Sequence, residues 1–164
     1  MKMLLRIGLL GLSMSVNAQT TSSAYKAMLE TLYKKSVPFI TVEELKQRQN
    51  VVVLDTRERN EYEVSHLPGA RWIGYNDFDL RRLRDIPKSA TIVTYCSVGV
   101  RSERVGEKLL AAGYTNVQNL YGSLFEWVNQ GNPVVDIQER PTQRVHAYSK
   151  LWGIWLNKGQ KVYD

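Results

Sequence analysis

The stretch Tyr95-Cys96-Ser97-Val98-Gly99-Val100-Arg101-Ser102 sets the only cysteine of the 164-residue chain between a β-branched run and a helical pattern. Three influences act on a sulfur in that place. A tight loop entering a helix turns several backbone N–H groups toward one point, and Gly99 permits the angles this needs. The helix expected from Ser102 onward adds the positive end of its dipole. Arg101 adds a permanent cation. Each favours thiolate over thiol, so Cys96 is expected below the free value of about 8.5, toward the roughly 3.5–7.5 of activated cysteines. No histidine is adjacent in sequence, so activation falls to the loop rather than to a Cys–His pair. A lone cysteine also excludes an internal disulfide and a Cys-rich zinc site, and the bland alternative is a buried, inert thiol.

The elements around this loop must hold it. Thr91 to Tyr95 is a buried strand leading into Cys96, and Ser102 to Ala112 a helix ending at Gly113. Upstream, Ala24 to Lys35 has helical spacing, and Phe39-Ile40 is a short strand. Thr41 and Glu44 form a capping box opening a helix that runs to Gln49. Val51 to Leu54 is a buried strand, Glu58 to Glu63 a short helix and Ala70 to Ile73 a strand. Val117 to Leu120 is a further strand, and Ser123 to Gln130 a helix stopped by Gly131 and Pro133. Strands alternating with helices predict an α/β domain around a mainly parallel central sheet flanked by helices. Sites in such sheets lie at the carboxyl ends of strands, where Cys96 falls.

Residues 1–18 differ in character from the rest. Lys2 and Arg6 flank an apolar run, Ile7 to Val16, and Val16-Asn17-Ala18 offers a cleavage site. This is the layout of a secretory signal peptide, and the run is well short of the roughly 20 residues that cross a bilayer. Export to a periplasm or the exterior is therefore expected, with no stable membrane insertion after cleavage. Loss of Lys2 and Arg6 lowers the net charge from +6 to +4. The remaining basic residues are dispersed, so nucleic acid is not an expected partner. The expected organisation is a signal peptide over 1–18, a helical extension over 19–36, one domain over 37–135 and a C-terminal extension over 136–164.

Cys-x-x-Gly-x-Arg-Ser after a strand, as in Cys96 to Ser102, resembles the active loop of single-domain rhodanese-like sulfurtransferases. Two further stretches carry the same resemblance. One comprises Val52 to Glu58, Glu61-Tyr62 and His66-Leu67-Pro68-Gly69-Ala70; the other comprises Ala112-Gly113-Tyr114, Asn119-Leu120-Tyr121-Gly122-Ser123 and Trp127. Ser65 stands where the family often has Gly before its His, and Ser123 where a second Gly is common; neither is expected to touch Cys96. The resemblance implies a rhodanese-like fold and sulfur transfer without metal or other cofactor. Cys96 would be the nucleophile and carry a persulfide, with Ser97, Val98, Gly99, Val100, Arg101 and Ser102 forming the substrate loop. The implied partners are a small anionic sulfur donor such as thiosulfate and a thiol, cyanide or exported-protein acceptor.

Two other functions compete. A phosphatase or arsenate reductase of related fold would place five residues between cysteine and arginine, whereas only Ser97 to Val100 intervene here. A noncatalytic or redox module that delivers sulfur to a partner would more commonly show a disrupted loop. Asp55 and Arg57 read as a loop brace sooner than as substrate ligands. His66 reads as part of a Pro-Gly turn, and with His146 it makes no convincing metal site. Leu151, Trp152, Trp155 and Leu156, within Tyr148 to Lys158, have helical spacing and are expected to pack on the domain, with a partner-binding or membrane-surface role as the alternative.

Overall fold

The computed structural model describes residues 22–164. The expected signal peptide over 1–18 lies outside them. No helix among the described residues is long and apolar enough to cross a membrane.

A five-stranded sheet forms the centre. Its strands are β1 (Phe39–Ile40), β2 (Val51–Asp55), β3 (Arg71–Trp72), β4 (Thr91–Tyr95) and β5 (Asn116–Leu120). They run in the order β1-β5-β4-β2-β3, and every pairing is parallel. Parallel neighbours need crossovers. These are supplied by α2 (Val42–Gln47), α3 (Arg59–Val64), α4 (Val100–Ala111) and a 3-10 turn at Leu80–Leu83. Thr41 and Glu44 form the capping box read from the sequence. The sheet separates two apolar clusters, one containing Leu54, Ile73, Ile92, Val105 and Leu109, the other Ile40, Val93, Tyr95, Leu120 and Phe125.

Both terminal segments join the second cluster. From α1 (Ser23–Leu32) and the residue after it come Tyr25, Leu29 and Tyr33. From beyond α5 (Ser123–Asn129) come Val145, Ala147 and Leu156. This later part of the chain holds β6 (Val134–Val135) paired antiparallel with β7 (Pro141–Thr142). It also holds β8 (Arg144–His146), α6 (Lys150–Gly153) and β9 (Gln160–Val162), with β8 and β9 parallel.

Several boundaries differ from the sequence reading. Helix α1 ends at Leu32 rather than Lys35, because Tyr33 turns extended and its side chain enters the core. Helix α4 begins at Val100 rather than Ser102, because Gly99 at φ 109° serves as its left-handed N-cap. The apolar spacing over Tyr148 to Lys158 yields only the single turn of α6, followed by a turn that buries Leu156.

Candidate active site

Strand β4 ends at Tyr95 and α4 begins at Val100, so four residues turn the chain between them. Cys96 is 1 % exposed. It lies on the wall of a cavity of about 190 Å³ together with Leu32, Ser97, Val98, Val100, Arg101, Tyr148 and Trp152. The Gly99 N–H donates to Cys96 Sγ at 3.1 Å. Burial pushes the thiol pKa up. The nearby Arg101 charge and hydrogen bonds from Ser102 and Gly99 outweigh it, and the net displacement is downward. The arrangement can therefore hold a thiolate, or an anionic sulfur attached to it, at the foot of a small cavity.

The loop is held from several directions. Leu124 and Phe125, at the start of α5, donate their N–H groups to the carbonyls of Cys96 and Ser97 at 3.1 and 3.0 Å. Asn119, fully buried at the end of β5, donates through Nδ2 to the Gly99 carbonyl at 2.9 Å and accepts at Oδ1 from the Ser102 hydroxyl at 2.7 Å. The Tyr33 hydroxyl donates to the Val98 carbonyl and accepts the Gly122 N–H at 3.0 Å. A Cβ on Gly99 would lie 2.3 Å from that hydroxyl, so glycine is required both by backbone angle and by space.

Arg101 lines the cavity, but its guanidinium is already matched. It bonds Glu61 at 2.6 and 2.8 Å and the Ser97 hydroxyl at 3.0 Å, while the Tyr148 ring lies 4.9 Å from its Cζ. Burial alone would raise the Glu61 pKa. The hydrogen bonds and charge of Arg101, followed by the charge of Arg57, hold it instead at about 2. Glu61 thus gives a buried partner to the cation that the sequence places beside Cys96. A buried glutamate on a short helix is the signal for such a partner, but the partner lies 40 residues away and only folding reveals it.

Asp55 and Arg57 lie behind the loop and do not line the cavity. Both side chains are 0 % exposed and joined at 2.6 Å. Arg57 also donates to the Ser65 carbonyl at 2.6 Å, and Asp55 accepts from the Tyr95 hydroxyl. They brace the end of β4. His66 is engaged through both ring nitrogens, with the Tyr62 carbonyl and Glu139, and His146 meets Asp164 and the Tyr148 N–H. No group of three potential metal ligands occurs among the described residues.

One sequence expectation is corrected. Ser123 does touch Cys96: its hydroxyl accepts the Cys96 N–H at 3.2 Å and donates to the Leu120 carbonyl at 3.2 Å. Ser123 sits at φ 53°, a left-handed position where glycine is the unstrained choice. The side chain compensates by capping a buried amide that glycine would leave to another partner.

Comparison with known proteins agrees with this geometry. The family model of the rhodanese-like domain matches residues 41–130. A Sulfurtransferase of Allochromatium vinosum is 32 % identical over 100 residues, which cover 58 % of this chain and 92 % of that protein. The Adenylyltransferase and sulfurtransferase uba4 of Ogataea parapolymorpha is 29 % identical over 94 residues, 57 % of this chain. The match spans only 24 % of that longer protein. Among solved structures, the rhodanese-like domain of an Anabaena protein superposes with a TM-score of 0.57 at 28 % identity, over 62 % of this chain and 81 % of that one. With the parallel sheet, the cysteine loop at its carboxyl end and a family match across more than half its length, the chain belongs to the rhodanese-like domain family.

Proposed function

We propose that this protein is an exported sulfurtransferase that carries sulfane sulfur as a persulfide on Cys96. The observation that carries the proposal is the Gly99 N–H directed at Cys96 Sγ on the wall of the cavity. In the first step the Cys96 thiolate attacks the outer sulfur of a donor such as thiosulfate. The new S–S bond forms as the old one breaks, and sulfite leaves with the electron pair. The loop amides hold the resulting anionic sulfur. An acceptor thiolate or cyanide then attacks the outer sulfur and returns Cys96 to the thiolate. Neither step needs a metal or a general base. The sulfurtransferase relatives support the reaction class, and the apolar run Ile7 to Val16 supports export to a periplasm or beyond.

Intact mass after incubation with thiosulfate is the direct test. The expected result is a gain of one sulfur atom, lost on adding a thiol and absent in Cys96→Ser. Turnover by Cys96→Ser is expected to fall about 10³-fold or more. A sulfur gain that survives in Cys96→Ser, or no gain with any sulfane donor, overturns the proposal.

A further inference from the structure

Three of the eight residues that line the cavity above Cys96 come from parts of the chain outside the family match. Leu32 comes from α1, and Tyr148 and Trp152 come from the segment around α6, whereas the match spans 41–130. With Val98 and Val100 these three give the cavity an apolar and aromatic lining. Its one cation, Arg101, is paired with Glu61 through two hydrogen bonds and has a side chain only 15 % exposed. A dianion entering here gains little from a charge already matched.

Tyr148 is not placed there by default. It holds a left-handed backbone at φ 66°, unusual for a bulky residue, and its N–H is fixed by His146 Nδ1 at 3.1 Å. The residue is 49 % exposed, yet its ring lies against Arg101. A strained backbone that sets an aromatic ring at a cavity rim, beside a neutralised cation, is suited to receiving an apolar body. The volume also suits one, since a cavity of roughly 150 Å³ admits benzene and this one measures about 190 Å³.

We propose that Tyr148 and Trp152, with Leu32, are specificity-determining residues of the Cys96 site and select an organic sulfane-sulfur donor with an aromatic or apolar body over inorganic thiosulfate. The proposal rests on the sulfur-transfer reading above. For an aryl thiosulfonate, the Cys96 thiolate attacks the outer sulfur, the bond from that sulfur to the sulfonyl sulfur breaks, and an aryl sulfinate leaves with the electron pair. Reactants and products each carry two negative charges, and no proton or further reactant is required. The aryl group would occupy the space between Leu32, Tyr148 and Trp152 while the transferred sulfur meets Cys96.

The test compares benzenethiosulfonate with thiosulfate in single-turnover persulfide formation, followed by mass, on the full chain. The native protein is expected to favour the aryl donor in second-order rate by roughly tenfold or more. Tyr148→Asn, which tolerates the left-handed backbone, and Trp152→Gln are each expected to reduce that preference to about threefold or less. Leu151→Gln, at a residue that is 73 % exposed and outside the cavity lining, is expected to leave the ratio unchanged. Trp152→Phe should retain most of the preference, so a ratio lost in Trp152→Gln but kept in Trp152→Phe separates lost aromatic contact from a damaged fold. Equal rates for the two donors in the native protein, or a preference insensitive to both Tyr148→Asn and Trp152→Gln, overturns the specificity proposal while sulfur transfer stands. Persulfide from neither donor overturns sulfur transfer itself.

Discussion

Take the Arg101 charge away from Cys96 and the balance at the sulfur shifts toward burial, which by itself raises a thiol pKa. The rate of Cys96 alkylation should therefore rise with pH to a plateau reached below that of an ordinary thiol. Arg101→Ala should move the midpoint upward. An unchanged midpoint in the variant, followed with iodoacetamide across pH 5 to 10, would remove Arg101 from the account of the thiolate. Its partner makes a separate prediction about stability. The folded Glu61 pKa of about 2 lies below its ordinary 4.5. The stabilisation from its ionised form is thus fully present above 4.5 and is lost as pH falls toward 2. Glu61→Gln should be less stable than the native protein at neutral pH, with the gap narrowing through that acid window; urea unfolding at several pH values measures it. Sequence reading singled out Cys96, Gly99 and Arg101, because one short loop carries all three. Glu61 and Tyr148 received no such role, since their contacts with Arg101 exist only after distant segments have packed.

At the scale of elements, β2 and β4 are legible because runs rich in β-branched and apolar side chains announce a strand buried among helices, whereas in β5 only Val117 and Leu120 carry that signal. The pairs β6–β7 and β8–β9 are not legible, since strands of two or three residues carry too little alternation to register as a period. Helix α1 is legible as a helix but not as a support for the loop. That role depends on Tyr25 and Tyr33, whose hydroxyls bond the Gly122 carbonyl and N–H respectively, while Tyr33 also reaches Val98. Tyr33→Phe keeps the ring and removes those bonds, leaving two buried backbone groups without this partner. It should cost roughly 1–3 kcal/mol of stability. Slower persulfide formation is expected alongside, and urea denaturation with a matched activity assay tests both. A loss of stability without any change in rate would confine Tyr33 to packing.

The molecule as a whole draws its second apolar cluster from both ends of the described chain. Val145, Ala147 and Leu156 pack with Tyr25 and Leu29 in the same cluster as the strands. Burying side chains of the larger kinds contributes roughly 1.5–3 kcal/mol each, against a total stability of about 5–15 kcal/mol. A chain ending after Val135 should therefore lose its cooperative thermal transition or melt far below the full chain, as circular dichroism would show. An unaltered melting temperature would mean that the later segment merely covers a self-sufficient fold.

The sheet's outermost strands, β1 and β3, are each only two residues long. Unpaired peptide groups along a sheet margin are templates on which a second chain can add, and the hazard grows with the length and flatness of the margin. Here β3 carries Arg71, paired with Asp85, and Trp72, against which Arg59 and Arg82 lie at 5.0 and 4.3 Å. A neighbouring chain would find few vacant amides in register and would have to displace cations to reach them. With one cysteine and hence no internal crosslink, the folded protein has this brevity of its margins as a built-in guard against fibrillar association at high concentration.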